Sequence, residues 1–311
     1  MKYIGKKLIT MLITVLIVTM LVFLAFRVIP GDPVSNMLGT SYTAEKAARL
    51  RTQLGLDRPL PVRYAEWMKD FFFGDMGKSY TYGIPVRPML AGKVPITVTL
   101  TLISFLLVVA ISIPLGIYTA KHEDKWYSKA IDVLNQITMA VPPFFAGMIF
   151  TYLFGLILKW FRPGGFVNYS IDPVGFVLYL ICPSICIALP KAAMTVRLLK
   201  SSVLGESRLD YVRTAYSRGN STNEVLYKHV FRNALIPVIT FLGVTLADIV
   251  AGSIIVEQVF SIPGLGRLLI TSISTRDYPV AQAIIAIIAC IVIIINFAVD
   301  ILYKVIDPRI R

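Results

Sequence analysis

Gly77-Lys78-Ser79 resembles the end of a phosphate-binding loop. A complete loop needs another glycine five residues before Gly77, so that its backbone can cradle the phosphates. That position is Phe72, and the segment opens no helix of apolar period, so no nucleotide site is expected there. His122 and His229 are the only histidines, and neither lies in an H-E-x-x-H pair that could hold zinc. No G-x-S-x-G presents a nucleophilic serine. Cys182 and Cys186 share a helix face by spacing but have no nearby third or fourth ligand. With Cys290 they read as small apolar packing residues. The chain is therefore assigned no catalytic residue and no metal set.

Polar groups inside apolar runs are the other chemical candidates, because burying them in a bilayer is expensive. Asp248 lies near the middle of such a run, where it is expected to face a translocation path and meet a cationic ligand group. As a single carboxylate it does not supply the paired groups an intramembrane enzyme needs. Asn296 and Asp300, four residues apart, lie on one side of a later run. Asn296 is a second path candidate, and Asp300 is expected to pair with Lys304. Glu257 and Gln258 end a run, where gating and simple interfacial placement both fit. Arg27 is expected to snorkel to an interface.

These residues are positioned by long apolar runs. The chain is 56% hydrophobic with a mean hydropathy of +0.71. Runs near the roughly 20 residues that cross a bilayer cover 8–29, 96–120, 130–158, 174–193, 236–256 and 280–302. Pro142 and Pro143 interrupt the third, and Pro183 and Pro190 lie in the fourth. Neighbouring helices can satisfy the carbonyls that prolines free, so these remain candidate spans. The expected fold is an all-α integral membrane protein with about six transmembrane helices. The first run follows Lys2, Lys6 and Lys7, as a secretory signal would. Its length and the lack of a small-x-small cleavage site favour an uncleaved anchor.

A net charge of +13 could suggest nucleic acid, but its distribution argues against that role. With both termini inside, the inner segments hold Lys121, Lys125, Lys129 and a dense group from Arg197 to Arg232. The short outer segments hold only Lys159, Arg162, Arg267 and Arg276. This asymmetry is the positive-inside signature of a multi-pass protein. The long outer segment, 30–94, mixes nine basic residues with six acidic ones and is a weak vote.

Two extramembrane stretches carry local structure. In the outer one, Thr43 can cap a helix that Gly55 ends, and Tyr64, Trp67 and Phe71 recur at helical spacing suited to the membrane interface. A folded cap is expected. In the inner stretch, 194–235, residues 210–217 read as a short helix. Gly219 supplies a left-handed turn, and Ser221 with Glu224 forms a capping box opening a second helix. Arg213, Arg218, Lys228 and Arg232 make it basic. The expected element is a knuckle standing off the membrane to dock a partner.

Residues 210–219, DYVRTAYSRG, followed by 229–237, HVFRNALIP, resemble the coupling loop of binding-protein-dependent ABC transporter permeases, and more narrowly the dipeptide/oligopeptide class. Other stretches agree in order: Gly31-Asp32-Pro33, 54–60, Gly74-Asp75-Met76-Gly77, Val141-Pro142-Pro143-Phe144, Pro263-Gly264-Leu265-Gly266, Arg276-Asp277-Tyr278-Pro279 and 307–311. The general importer pattern, E-A-A-x-x-x-G then I-x-L-P, is not kept. Arg213-Thr214-Ala215 replaces E-A-A and Phe231-Arg232 replaces L-P, while Gly219 holds. The peptide class resembles this sequence in those departures.

The resemblance implies the architecture of a type I ABC importer permease. It implies a second, homologous permease subunit, two cytoplasmic ABC ATPases that bind the ATP and Mg, and an extracytoplasmic substrate-binding protein. No cofactor is implied in this chain. It places ATPase coupling on Arg213, Thr214, Ala215, Gly219, Ser221, Glu224, His229 and Arg232, and path candidates at Asp248, Glu257 and Asn296. The expected division is an anchor at 1–30, a cap at 31–94 and a core at 95–311, with the coupling loop at 194–235. The ligand class covers dipeptides, longer peptides, glutathione and nickel chelates. A secondary transporter is disfavoured, because no inverted repeat is apparent and such a protein needs no docking knuckle.

Overall fold

The computed structural model describes residues 2–28 and 33–306. Helices α1 (Lys2–Val28), α2 (Pro33–Leu38), α3 (Ala44–Gln53), α4 (Leu60–Phe73) and α5 (Val86–Ala91) lead into α6 (Val94–Lys121). Then come α7 (Trp126–Ala140), α8 (Pro143–Phe150), α9 (Pro173–Ser207), α10 (Asp210–Ser217) and α11 (Thr222–Glu224). The chain closes with α12 (Phe231–Val259), α13 (Leu265–Ser274) and α14 (Tyr278–Ile306). Among the described residues five helices are long and apolar enough to cross a membrane, or six if a bent pair is one span. The chain is multi-pass and all-α, as its apolar runs require. The motif segments at 31–32 and 307–311, and the side chains of Arg27 and Lys304, lie outside the described residues.

The bent pair corrects the simple reading of the third run. Helix α7 ends at Ala140, and α8 restarts at Pro143 after a bend of 99°. Two consecutive prolines remove two backbone donors and hold the preceding residues extended, so the axis cannot continue. From Thr151 to Ile157 the helix widens to π geometry.

The fold divides into two compact units. One comprises Met1–Thr97 with Pro263–Ile294, the other Val98–Ile262 with Ile295–Arg311. Hydrogen bonds explain why 263–294 joins the N-terminal unit. Leu265 N donates to Thr97 Oγ1 at 2.9 Å, and Lys93 Nζ donates to the Pro263 carbonyl at 3.4 Å. Asp277 accepts from Ser79 Oγ and from Tyr80 N at 2.9 Å.

In the first unit Thr43 caps α3 by accepting from Lys46 N, and Gly55 at φ +63° turns the chain, as expected. The aromatic row of α4 does something different from interfacial anchoring. Tyr64 and Trp67 pack on Phe23 of α1, with ring centroids 5.6 and 6.0 Å away. The Tyr64 hydroxyl also bonds the Leu16 carbonyl at 3.0 Å. The row docks α4 onto α1, leaving Phe72 and Phe73 as its exposed aromatics.

In the second unit α9 packs most extensively against α12 and then α7. Small residues permit close approach at two other seams, α6 with α9 and α12 with α14. A Cβ on Gly116 of α6 would fall 2.8 Å from Leu199 of α9, and one on Gly243 of α12 would overlap Val299 of α14.

Candidate functional site

The element between α9 and α12 is shorter and better clamped than a free-standing knuckle. Residues 194–207 complete α9, and from Thr222 the chain is helical without a break into α12. Only the turn around α10 stands between two long helices. The reason is local: the capping box at 221–224 starts a helix with no terminator after it, and 225–230 absorb the join in π geometry.

Helix α10 occupies the predicted residues. Its C-terminal turn is closed by Gly219 at φ +83°, where a Cβ would meet nothing within 4 Å. The glycine is thus required by backbone conformation rather than by crowding. Asn220 adds a cap the sequence reading lacked, donating its Nδ2 to the Ala215 carbonyl at 3.0 Å. Ser221 Oγ accepts from Glu224 N at 3.3 Å, while Glu224 Oε2 accepts from Ser221 N at 3.1 Å.

Burial separates the candidate residues into two groups. Val212 and Ala215 form the buried face of α10, which packs on the segment Val225–Val230. Ala215 thus packs inward beneath the outward face of α10. Arg213, Thr214, Tyr216, Ser217 and Arg218 face outward, and His229 and Arg232 are exposed beyond them. Arg213 lies 3.7 Å from Asp210 with both side chains almost fully solvated, a pair of little strength.

Three contacts fix this element. Tyr211 Oη donates to Glu206 Oε2 at 2.5 Å and accepts from Asn233 Nδ2 at 3.2 Å. Partial burial, and then the Glu206 contact, hold the Tyr211 phenol above its ordinary range. Lys121 Nζ donates to Asn223 Oδ1 at 2.8 Å, so the end of α6 and the start of α11 share one end of the unit. Nearby, Lys200 of α9 pairs with Asp132 of α7 at 2.6 Å and donates to Ser128 Oγ at 3.3 Å.

The polar residues of the spans fall out unevenly. Asp248 is not alone: its Oδ2 is 2.7 Å from Lys191 Nζ on α9. Lys191 is itself a charge within an apolar run, so the rule that flags Asp248 flags it equally. Glu257 is fully buried in the helix packing. Its carbonyl accepts from Ile262 N at 2.8 Å, and the Tyr179 hydroxyl donates to the Phe260 carbonyl at 2.8 Å, so the chain folds back over the end of α12. Asn296 is exposed on α14.

Residues 112–311 match the family described as binding-protein-dependent transport system inner membrane component, and residues 1–101 match its N-terminal domain. The chain belongs to this family. It is a permease component of an ABC transport system, with the all-α architecture of a type I importer permease. A putative peptide transport system permease protein of Brucella abortus (strain 2308) is 36% identical over 296 residues, covering 95% of this chain and 94% of the relative. An oligopeptide transport system permease protein of Bacillus subtilis (strain 168) is 35% identical over 297 residues, covering 94% of each. A glutathione transport system permease protein of Salmonella choleraesuis (strain SC-B67) is 35% identical over 311 residues, covering 100% of this chain and 99% of the relative.

Proposed function

We propose that this permease moves di- or oligopeptides inward across the cytoplasmic membrane, driven by two partner ATPases, one of which seats on α10. A second, homologous permease subunit completes the path, and an extracytoplasmic binding protein delivers the ligand. ATP and Mg belong to the ATPases, and this chain contributes no catalytic group. Both termini and α10 face the cytoplasm, and residues 31–94 form the outer cap.

The observation that carries this reading is α10 itself. A short amphipathic helix is held at both ends between two long helices, with an outward face bearing Arg213 and Arg218. A push on that face reaches α9 through Glu206 and α12 through Asn233 as one body. The lysine and arginine bias supports the orientation, and Lys121 bonded to Asn223 keeps two basic inner segments together. Relatives named for peptide, oligopeptide and glutathione transport support a peptide ligand, glutathione being itself a peptide.

The test is uptake of radiolabelled tri-alanine by cells carrying the complete transporter, with cysteine labelling of the same chain. ATP-dependent uptake that disappears with this subunit is expected. Labelling at Glu123 is expected only from inside, and at Thr43 only from outside. Uptake independent of ATP, or reversed labelling, contradicts the proposal.

A further inference from the structure

Lys191 and Asp248 lie near the middles of α9 and α12, within stretches long and apolar enough to span the membrane. Their flanking residues Ala192, Ala247 and Ile249 are buried in the helix packing. The two charged heads instead stand at its open edge: 54% of the Asp248 side chain and 23% of that of Lys191 are exposed. Ionised groups at such depth do not face lipid tails, so this edge borders water or protein. The α9–α12 seam is already closed by apolar and small residues, and replacing an ion pair with apolar side chains commonly leaves stability unchanged or higher.

We infer that Lys191 and Asp248 form a charge-matched binding site for a short zwitterionic peptide in the translocation path. This deepens the peptide-importer reading and rests on it. Such a ligand carries one ammonium and one carboxylate, and both must shed water to cross. A protein site offering one cation and one anion matches them without net charge in the membrane. The ligand inserts between the two residues: its carboxylate goes to Lys191 Nζ and its ammonium to Asp248 Oδ2, and each charge exchanges one partner for another. The chain advances about 3.3–3.6 Å per residue, so the termini of a di- or tripeptide stand several ångströms apart. The resting heads are 2.7 Å apart, and the flexible four-carbon stem of Lys191 supplies the opening. A long peptide cannot present both termini here at once, so the site favours short ligands.

The test compares tri-alanine with hexa-alanine, measured as peptide imported per ATP hydrolysed, in the complete transporter reconstituted in proteoliposomes. At saturating liganded binding protein this ratio is insensitive to delivery. The variant Lys191→Met with Asp248→Leu removes both charges together. It should insert as the wild type does, import about tenfold less tri-alanine per ATP, and change little with hexa-alanine per ATP. Should that variant fail to insert, Lys191→Gln with Asp248→Asn keeps the size and hydrogen bonding and is read the same way. Unchanged tri-alanine coupling, an equal loss for both lengths, or failure of both variants to insert overturns the inference and leaves a purely structural pair. A wild-type complex that imports neither alanine peptide overturns the peptide reading, and this inference with it, before any variant is made.

Discussion

Tyr211 on α10 donates its hydroxyl to the Glu206 carboxylate on α9 at 2.5 Å, and Asn233 on α12 donates to the same hydroxyl at 3.2 Å. One side chain thus ties the candidate docking helix to both long helices. Tyr211→Phe removes both bonds and keeps the ring. Each such bond contributes about 1 kcal/mol net, so losing both should speed hydrogen exchange of the amides of 210–217 by about thirtyfold while the spans are unchanged. The tie should also be pH-sensitive in a set direction. The folded phenol titrates above its ordinary value, so the contribution is whole below the ordinary tyrosine range, near about 10, and fades as pH rises through the folded value. Unaltered exchange at 210–217 in the Phe variant would show that α10 is held by Val212 and Ala215 alone.

Asp277 organises the first unit from a buried position. Its carboxylate accepts from Ser79 Oγ and from the amides of Tyr80 and Thr81. Arg276, at φ +57°, makes the turn into α14 just before it. Hydrogen bonds to a charged acceptor are worth about 1.5–3 kcal/mol each. Asp277→Ala should therefore open residues 77–86 to limited proteolysis, with normal insertion of α14. Ser79→Ala should give the same effect, but weaker. Equal protease resistance in the wild type and Asp277→Ala would contradict this role.

Lys200 and Asp132 join α9 to α7 in a partly buried pair, with the Lys200 side chain only 14% exposed. Removing Asp132 alone orphans that cation, which costs more than removing both charges. Asp132→Ala should lower the thermal midpoint in detergent more than the double variant Asp132→Ala, Lys200→Met. A double variant no better than the single would mean the two charges do not interact.

What was legible in the sequence follows from the range of each interaction. The α10 helix, the Gly219 turn and the Ser221–Glu224 box are set within four residues of chain, so spacing alone shows them. The Thr43 cap and the proline break at 142–143 are local for the same reason, though the break's 99° angle is not. The partners of Asp248 and Asp277 were not legible. Lys191 lies 57 residues from Asp248, and Ser79 lies 198 from Asp277, so only tertiary packing joins them. That Ala215 faces inward was not legible either, because a docking motif does not tell which of its faces is already buried. The aromatic row of α4 was read for its affinity for an interface, but a nearby aromatic on α1 competed for it and won.

Gly219 tests the central claim, that α10 is the element through which the ATPases act. Its left-handed φ and open surroundings make the prediction specific. A β-branched residue is disfavoured there by about 1 kcal/mol or more, whereas asparagine visits that region readily. The measurement is tri-alanine uptake together with ATPase co-purification, for Gly219→Val and Gly219→Asn in otherwise intact transporter. Both variants should insert at wild-type levels. Gly219→Asn should keep most uptake, while Gly219→Val should retain its ATPases poorly and import little. Wild-type docking and uptake in Gly219→Val would contradict the account.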